Sequence, residues 1–160
     1  MGTGPTLREP RHRVCPRARL MWRVSSLVEA AMTLAALLVF DAVVDQVDLP
    51  WWVFTLAVGL HLAWAIVVPQ WRYLVHRWEV TDTAVYTQVG WWARERRIAP
   101  MSRIQTVDYA EGAVERAFRL ATVTVTTASA AGALRIAGLD RDVARALVDE
   151  LTVKADAVEG

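Results

Sequence analysis

The sequence predicts a transmembrane hairpin of two helices followed by a small β-rich domain that a C-terminal helix caps. Three observations carry this. From Val24 to Trp71 there is no lysine or arginine, although the chain has 18 basic residues. Two apolar stretches of about 20 residues fill that window, each long enough to cross a hydrocarbon core of about 30 Å. Beyond Tyr73 the pattern changes to β-branched and aromatic runs broken by turn residues, and near the C-terminus it changes again to a helical period.

The chain has 160 residues, 54% of them hydrophobic, and its mean hydropathy is +0.25. Residues 1–23 read as a basic tail, with Arg8, Arg11, Arg13, Arg17, Arg19 and Arg23 against the one acid Glu9, a net of +5. Residues 24–71 read as the hairpin, with spans at about 24–44 and 51–69. Between the spans, DQVDLP has room only for a tight turn, so the two helices are antiparallel neighbours. The first span exceeds a typical signal-peptide core and has no clear cleavage site, which makes it an uncleaved anchor. Residues 72–155 then form the β-rich domain.

Loop charges set the expected orientation. Six arginines precede the first span, the turn carries only Asp45 and Asp48, and Arg72, His76 and Arg77 follow the second span. The positive-inside rule puts both termini in the cytoplasm and the turn outside, in the cell (inner or plasma) membrane as a multi-pass protein. Trp51 and Trp52 mark the outer interface; Trp22, Trp71 and Trp78 mark the inner one.

Ionisable residues inside spans often mark function. Glu29 lies one and a half turns into the first span, and His61 lies mid-way along the second, level with Thr33 and Leu34. A proton relay between them has to bridge a depth difference of about 7 Å. The plainer reading is polar contact between helices or copies. Gly59 with Ala63, and Ala31 with Ala35, have the small-residue spacing that lets helices approach closely.

In the β-rich part, YLVHRWEVT, AVYTQVG and WARERRIA read as a three-stranded meander with turns at Thr81–Thr83 and after Gly90. RIQTVDYAEG is a fourth strand with Ile104 and Val107 inward, and Gly112 ends it. AVERAFRL is one helical turn. ATVTVTTA alternates Val123 and Val125 with threonines, and Gly132 turns the chain into ALRIAG, a sixth strand. Leu139 to Ala155 has a helical period, with Leu139, Val143, Leu147 and Leu151 as its stripe and Asp140 as N-cap.

Tyr73 to Asp82, Val89-Gly90, Ile98-Ala99-Pro100, Arg103-Ile104-Gln105-x-Val107, Gly112…Arg116…Leu120 and Thr126-Thr127-Ala128 together resemble the YdbS-like bacterial PH domain-containing membrane proteins. The likeness covers about residues 20–153, and I-x-P-x-x-R-I-Q-x-V is its most specific piece. The chain departs from the pattern at Phe118-Arg119-Leu120, where the family more often has a glycine between apolar residues. The resemblance implies a PH-like β-barrel capped by the C-terminal helix, and no established enzymatic activity. Pro100 is expected to start a strand, Gly90 to permit a tight turn, and Ile104 and Val107 to fill a core. Arg103 and Gln105 point away from that core and are the candidate partner-binding residues.

Catalytic and cofactor signatures are absent: there is no nucleophile elbow, P-loop, zincin motif or dinucleotide fingerprint. His12, His61 and His76 are scattered, and Cys15 is the only cysteine, so neither a catalytic site nor a metal or cofactor site is expected. Net charge is +1, which gives no case for nucleic acid, and no small-molecule substrate is indicated. Residues 72–160 carry 12 basic and 12 acidic side chains, and the Thr81–Thr83 loop has no cation for a phosphoinositide. The function expected is a membrane-anchored, non-catalytic PH-like interaction or scaffold module. By resemblance its partner is a larger membrane protein with several PH-like domains, or another copy of this chain. Two other readings are an oligomeric conduit or proton-linked transporter accessory using Glu29 and His61, and anionic-lipid sensing by the tail through Arg11, Arg13, Arg17, Arg19 and Arg23.

Overall fold

Inside hydrocarbon, a segment has to satisfy its own backbone hydrogen bonds, and an unbroken apolar sequence does so as a helix. The computed structural model describes residues 9–44, 48–90, 92–128 and 132–159. The chain divides into two units, Arg19–Trp71 and the stretch up to Ala18 together with Arg72 onward.

Helices α1 (Arg17–Val43) and α2 (Trp51–Val75) are both longer than the hydropathy windows. Both are long and apolar enough to cross a membrane, with 0% and 6% of their apolar windows buried. Pro69 lies inside α2, where a proline forfeits its own backbone hydrogen bond and crowds the carbonyl four residues earlier, yet the helix runs on to Val75. Within the hairpin unit, the covered side of α1 runs through Ser26, Ala30, Leu34, Leu37 and Asp41, and that of α2 through Phe54, Ala57, His61 and Ala65. These steps of three and four follow one helix face. Gly59, Ala63, Ala31 and Ala35 are exposed instead, and a Cβ added to Gly59 meets nothing within 4 Å. Ala30, Ala57 and Ala65 stand on the covered side instead. At the turn, the Asp41 carboxylate accepts the Leu49 N–H at 2.8 Å, while Asp45 and residues 46–47 lie outside the described residues.

The other unit has two antiparallel sheets. One has the order β1 (His12–Arg13), β2 (Arg77–Val80), β3 (Ala84–Val89), β4 (Glu95–Pro100); the second has the order β5 (Ile104–Ala110), β6 (Leu120–Thr127), β7 (Leu134–Asp140). A short 3₁₀ turn, Met101–Arg103, joins the sheets; α3 (Ala113–Ala117) lies between β5 and β6, and α4 (Arg141–Glu159) closes the chain. Their core joins Val85 and Ala99, Met101, Ile104, Val123, Val125, Leu134, Ile136 and Leu139 with Ala144, Leu147 and Leu151 of α4. Two sheets closed by a terminal helix match the architecture expected.

Several details differ from expectation. Part of the basic N-terminal stretch is a strand: β1 pairs with β2, His12 opposite Trp78 and Arg13 opposite Arg77. Tyr73–Val75 belong to α2, so the first strand of the meander shortens to Arg77–Val80. Pro100 ends β4 and precedes the 3₁₀ turn; with no N–H to donate, it suits a strand end as well as a start. Leu139 belongs to β7, and Val143 is 44% exposed while Ala144 is fully buried. Leu139, Leu147 and Leu151 are buried as expected, and Ala144 takes the place of Val143 in the stripe. Asp140 does cap α4, accepting the Asp142 N–H at 3.0 Å.

A β-bulge reconciles Ile104 with Val107, which have opposite parity in a regular strand. Ile104 pairs with Thr127 but Thr106 with Thr126, so Gln105 is the extra residue. Beyond the bulge Val107 and Tyr109 pack against the core.

Candidate interaction site

Arg103 and Gln105 are both exposed. Arg103 ends the 3₁₀ turn and its carbonyl accepts the Ala128 N–H at 3.0 Å, which leaves its guanidinium on the surface. Gln105 stands on the bulge, and β5 is paired on one side only, with β6. The bulge thus sets both side chains at the start of an edge strand, whose Thr106, Asp108 and Ala110 are exposed beside them.

In the hairpin, His61 lines a cavity of about 160 Å³ with Ala30, Thr33, Leu34, Ala57 and Leu62. Its Nδ1 bonds the Ala57 carbonyl at 2.9 Å, one turn back along its own helix; since a carbonyl only accepts, the proton sits on Nδ1. Glu29 is exposed and does not line that cavity. The structure therefore does not bring Glu29 and His61 to one site.

The tail arginines are dispersed among partners. Arg11 meets the buried Glu79 at 3.6 Å, Arg13 lies in β1, Arg17 pairs with Asp140, and Arg19 donates to Gln70 at 3.4 Å. Arg23 is exposed on α1. Arg8 lies outside the described residues. The Cys15 N–H donates to the Gly138 carbonyl at 2.9 Å, fastening the same stretch to β7.

Three polar groupings escape a reading of the sequence because their members are far apart along the chain. Glu9 meets Arg96 at 3.2 Å and Arg77 and Arg94 at 3.8 Å. Gln88, 2% exposed, donates its amide to the Val75 carbonyl at 3.1 Å and accepts from Arg96 Nε at 2.9 Å. It thereby satisfies a carbonyl at the end of α2 that has no helical partner. Glu111 accepts from the Tyr109 hydroxyl and faces Arg141 at 2.8 Å, Arg145 at 3.9 Å and Arg116 at 4.0 Å. The Tyr109 hydroxyl first, then these guanidiniums, hold the Glu111 carboxyl below the usual carboxylate range.

His76 is buried at the start of the first sheet, where its Nδ1 donates to the Arg72 carbonyl at 3.0 Å. Burial, and then the Arg72 charge, push its pKa down to about 4, so the ring is neutral at pH 7. Among the described residues no group of three His, Cys, Asp or Glu is placed to hold a metal.

The profile of the family described as Bacterial PH domain matches residues 27–154. The chain is also 27% identical over 125 residues to the UPF0699 transmembrane protein YdbS of Bacillus subtilis (strain 168), an alignment spanning 76% of this chain and 79% of that protein. No solved structure matches it. With a transmembrane relative and two helices long and apolar enough to cross a bilayer, this is an integral membrane protein. Matched over most of its length, the chain belongs to the bacterial PH domain family.

Proposed function

We propose that the protein is a membrane-tethered interaction module, without catalysis, whose PH-like domain offers the β5 edge to a protein partner on the cytoplasmic side. The observation that carries this reading is the edge itself. β5 is paired on one side only, its outward residues are exposed, and the Gln105 bulge sets Gln105 and Arg103 at its start. An extended segment adding to such an edge takes affinity from main-chain hydrogen bonds and specificity from the flanking side chains. The partner is a second copy or a larger membrane protein of the same domain type.

A photocrosslinking residue at Gln105 or Asp108, tested in native membranes, checks the reading. Adducts to one protein species at these positions, absent when the probe stands at Glu150 of α4, are expected. Equal adducts at all three positions, or none at the edge, would overturn it.

A further inference from the structure

We infer that the β3–β4 hairpin tip, Gly90 with residues 92–94, is a membrane-interface anchor that lays Trp92 and Arg94 against the anionic headgroups of the bilayer. Three observations within the β unit converge on this, beginning with strand register. Arg77 stands opposite Gln88, and Val89 opposite Glu95. The tip therefore projects from the end of the sheet at which the chain arrives from α2. Arg13 pairs with Arg77 at that same end, just before the chain departs into α1. Both covalent links to the apolar helices thus leave the sheet beside the tip.

The second observation is Trp92, 88% exposed at the tip. An indole so exposed is costly in water, whereas the amphipathic ring is favoured at a membrane interface. Gly90 fixes how the tip presents it. Its φ is +123°, and a Cβ there would lie 1.8 Å from the Ala93 carbonyl oxygen, so only glycine allows this turn.

Charge is the third. Arg77, Arg94 and Arg96 converge on the single carboxylate of Glu9, which leaves the patch a net of +2. Cations held at the headgroup level are drawn to anionic lipid, and an indole flanked by arginines fits a lipid surface, in a domain whose residues 72–160 sum to zero charge.

The test uses the full chain with Cys15→Ser and a cysteine at Ala93 carrying an environment-sensitive fluorophore, reconstituted in phosphatidylcholine alone or in phosphatidylcholine–phosphatidylglycerol (three to one). Asp82→Cys, at the far end of β3, is the reference. Quenching by lipid-borne nitroxides is expected at 93 and not at 82, and stronger with phosphatidylglycerol. It should fall about fivefold in Arg94→Glu, the population change one interfacial arginine commands, and comparably in Trp92→Ser. Both side chains are exposed, so folding is not at stake. Equal quenching at 93 and 82 would overturn the inference. So would quenching at 93 that ignores both substitutions, since the tether alone then accounts for it. A label at 93 shielded from aqueous iodide yet unquenched from the lipid would point to a protein covering the tip, and would also overturn it.

Discussion

The carbonyl of Arg119 accepts the backbone N–H of Arg141 at 3.1 Å, so the turn after α3 holds the first residue of α4. Arg119 makes this contact with φ at +55°, the left-handed region. An L-residue there carries a cost of about 1–2 kcal/mol that glycine avoids, partly offset by glycine's greater freedom in the unfolded chain, about 0.4–1 kcal/mol. The resemblance leads one to expect glycine at this position, and the backbone keeps a glycine's conformation with an arginine in it.

Replacing Arg119 with glycine should therefore stabilise the protein by about 0.5–1 kcal/mol. Arg119→Ala retains the strain and should give no gain. Thermal or urea unfolding in mild detergent decides; a glycine variant less stable than the parent would mean that the guanidinium contributes more than the strain costs.

What was legible in the sequence was what is local. The cation-free window from Val24 to Trp71 and the alternation around Val123 and Val125 each report on a neighbourhood of a few residues, and both are in the structure as expected. What escaped depends on distant pairing or on phase. Two residues, His12 and Arg13, have no strand pattern; they are a strand because Arg77 and Trp78, more than sixty positions on, offer an edge. Tyr73–Val75 are β-branched and aromatic enough to suggest a strand, but a helix already under way past Pro69 extends through them. Val143 was misplaced because the stripe was carried on from Leu139, a β7 residue. The partners of Glu9, Gln88 and Glu111 come from separate elements, and no spacing announces them. The bulge at Gln105 was invisible too, although Ile104 and Val107, inward at opposite parity, hinted at it.

His76 should make stability depend on pH. Its folded pKa of about 4 lies below the ordinary 6.5, so between these values the unfolded chain binds more protons and stability rises with pH. The contribution is fully present above pH 6.5 and is lost as pH falls toward 4, about 2 kcal/mol of it by pH 5. Arg77 and Arg135 line the same small crevice as His76, and burial and the Arg72 charge outweigh the Arg72 carbonyl, which favours the protonated ring. His76→Gln keeps a side-chain N–H and does not titrate; its stability should be flat from pH 6.5 to 5. A variant with the parent's slope in that window would remove His76 as the cause.

Gln88 serves two groups at once, the buried Val75 carbonyl and the exposed Arg96 Nε. Gln88→Leu strips the first of its partner and should cost about 1–3 kcal/mol, the loss expected for a buried polar group left without one, while Arg96 keeps Glu9. Gln88→Glu keeps the acceptor for Arg96 but loses the donor to Val75, and should fall between. Urea midpoints of the three proteins check the order. A leucine variant within about 0.5 kcal/mol of the parent would show that water replaces the amide.

In α4, Leu151 is fully buried and Val143 is 44% exposed. Truncating the first creates a cavity in the shared core and should cost about 2–5 kcal/mol, while Val143→Ala should stay within about 0.5 kcal/mol. Equal effects would mean that Val143 faces the core as Leu151 does.

Orientation is tested most directly by labelling. Arginines precede Val24 and follow Trp71, whereas the turn between the spans carries acids alone, and from this asymmetry the turn is predicted outside and the β domain inside. Asp48 is exposed beside the turn, and Asp82 is 96% exposed at the loop after β2, where it pairs with Lys154 at 3.0 Å. In a Cys15→Ser background, a cysteine at 48 should react with an impermeant maleimide on intact cells. One at 82 should react only after the membrane is opened. Both side chains are accessible, so a difference between them reports the side of the membrane and not burial. Labelling at 82 in intact cells would put the β domain outside, and a β5 edge facing outward has no cytoplasmic partner to meet.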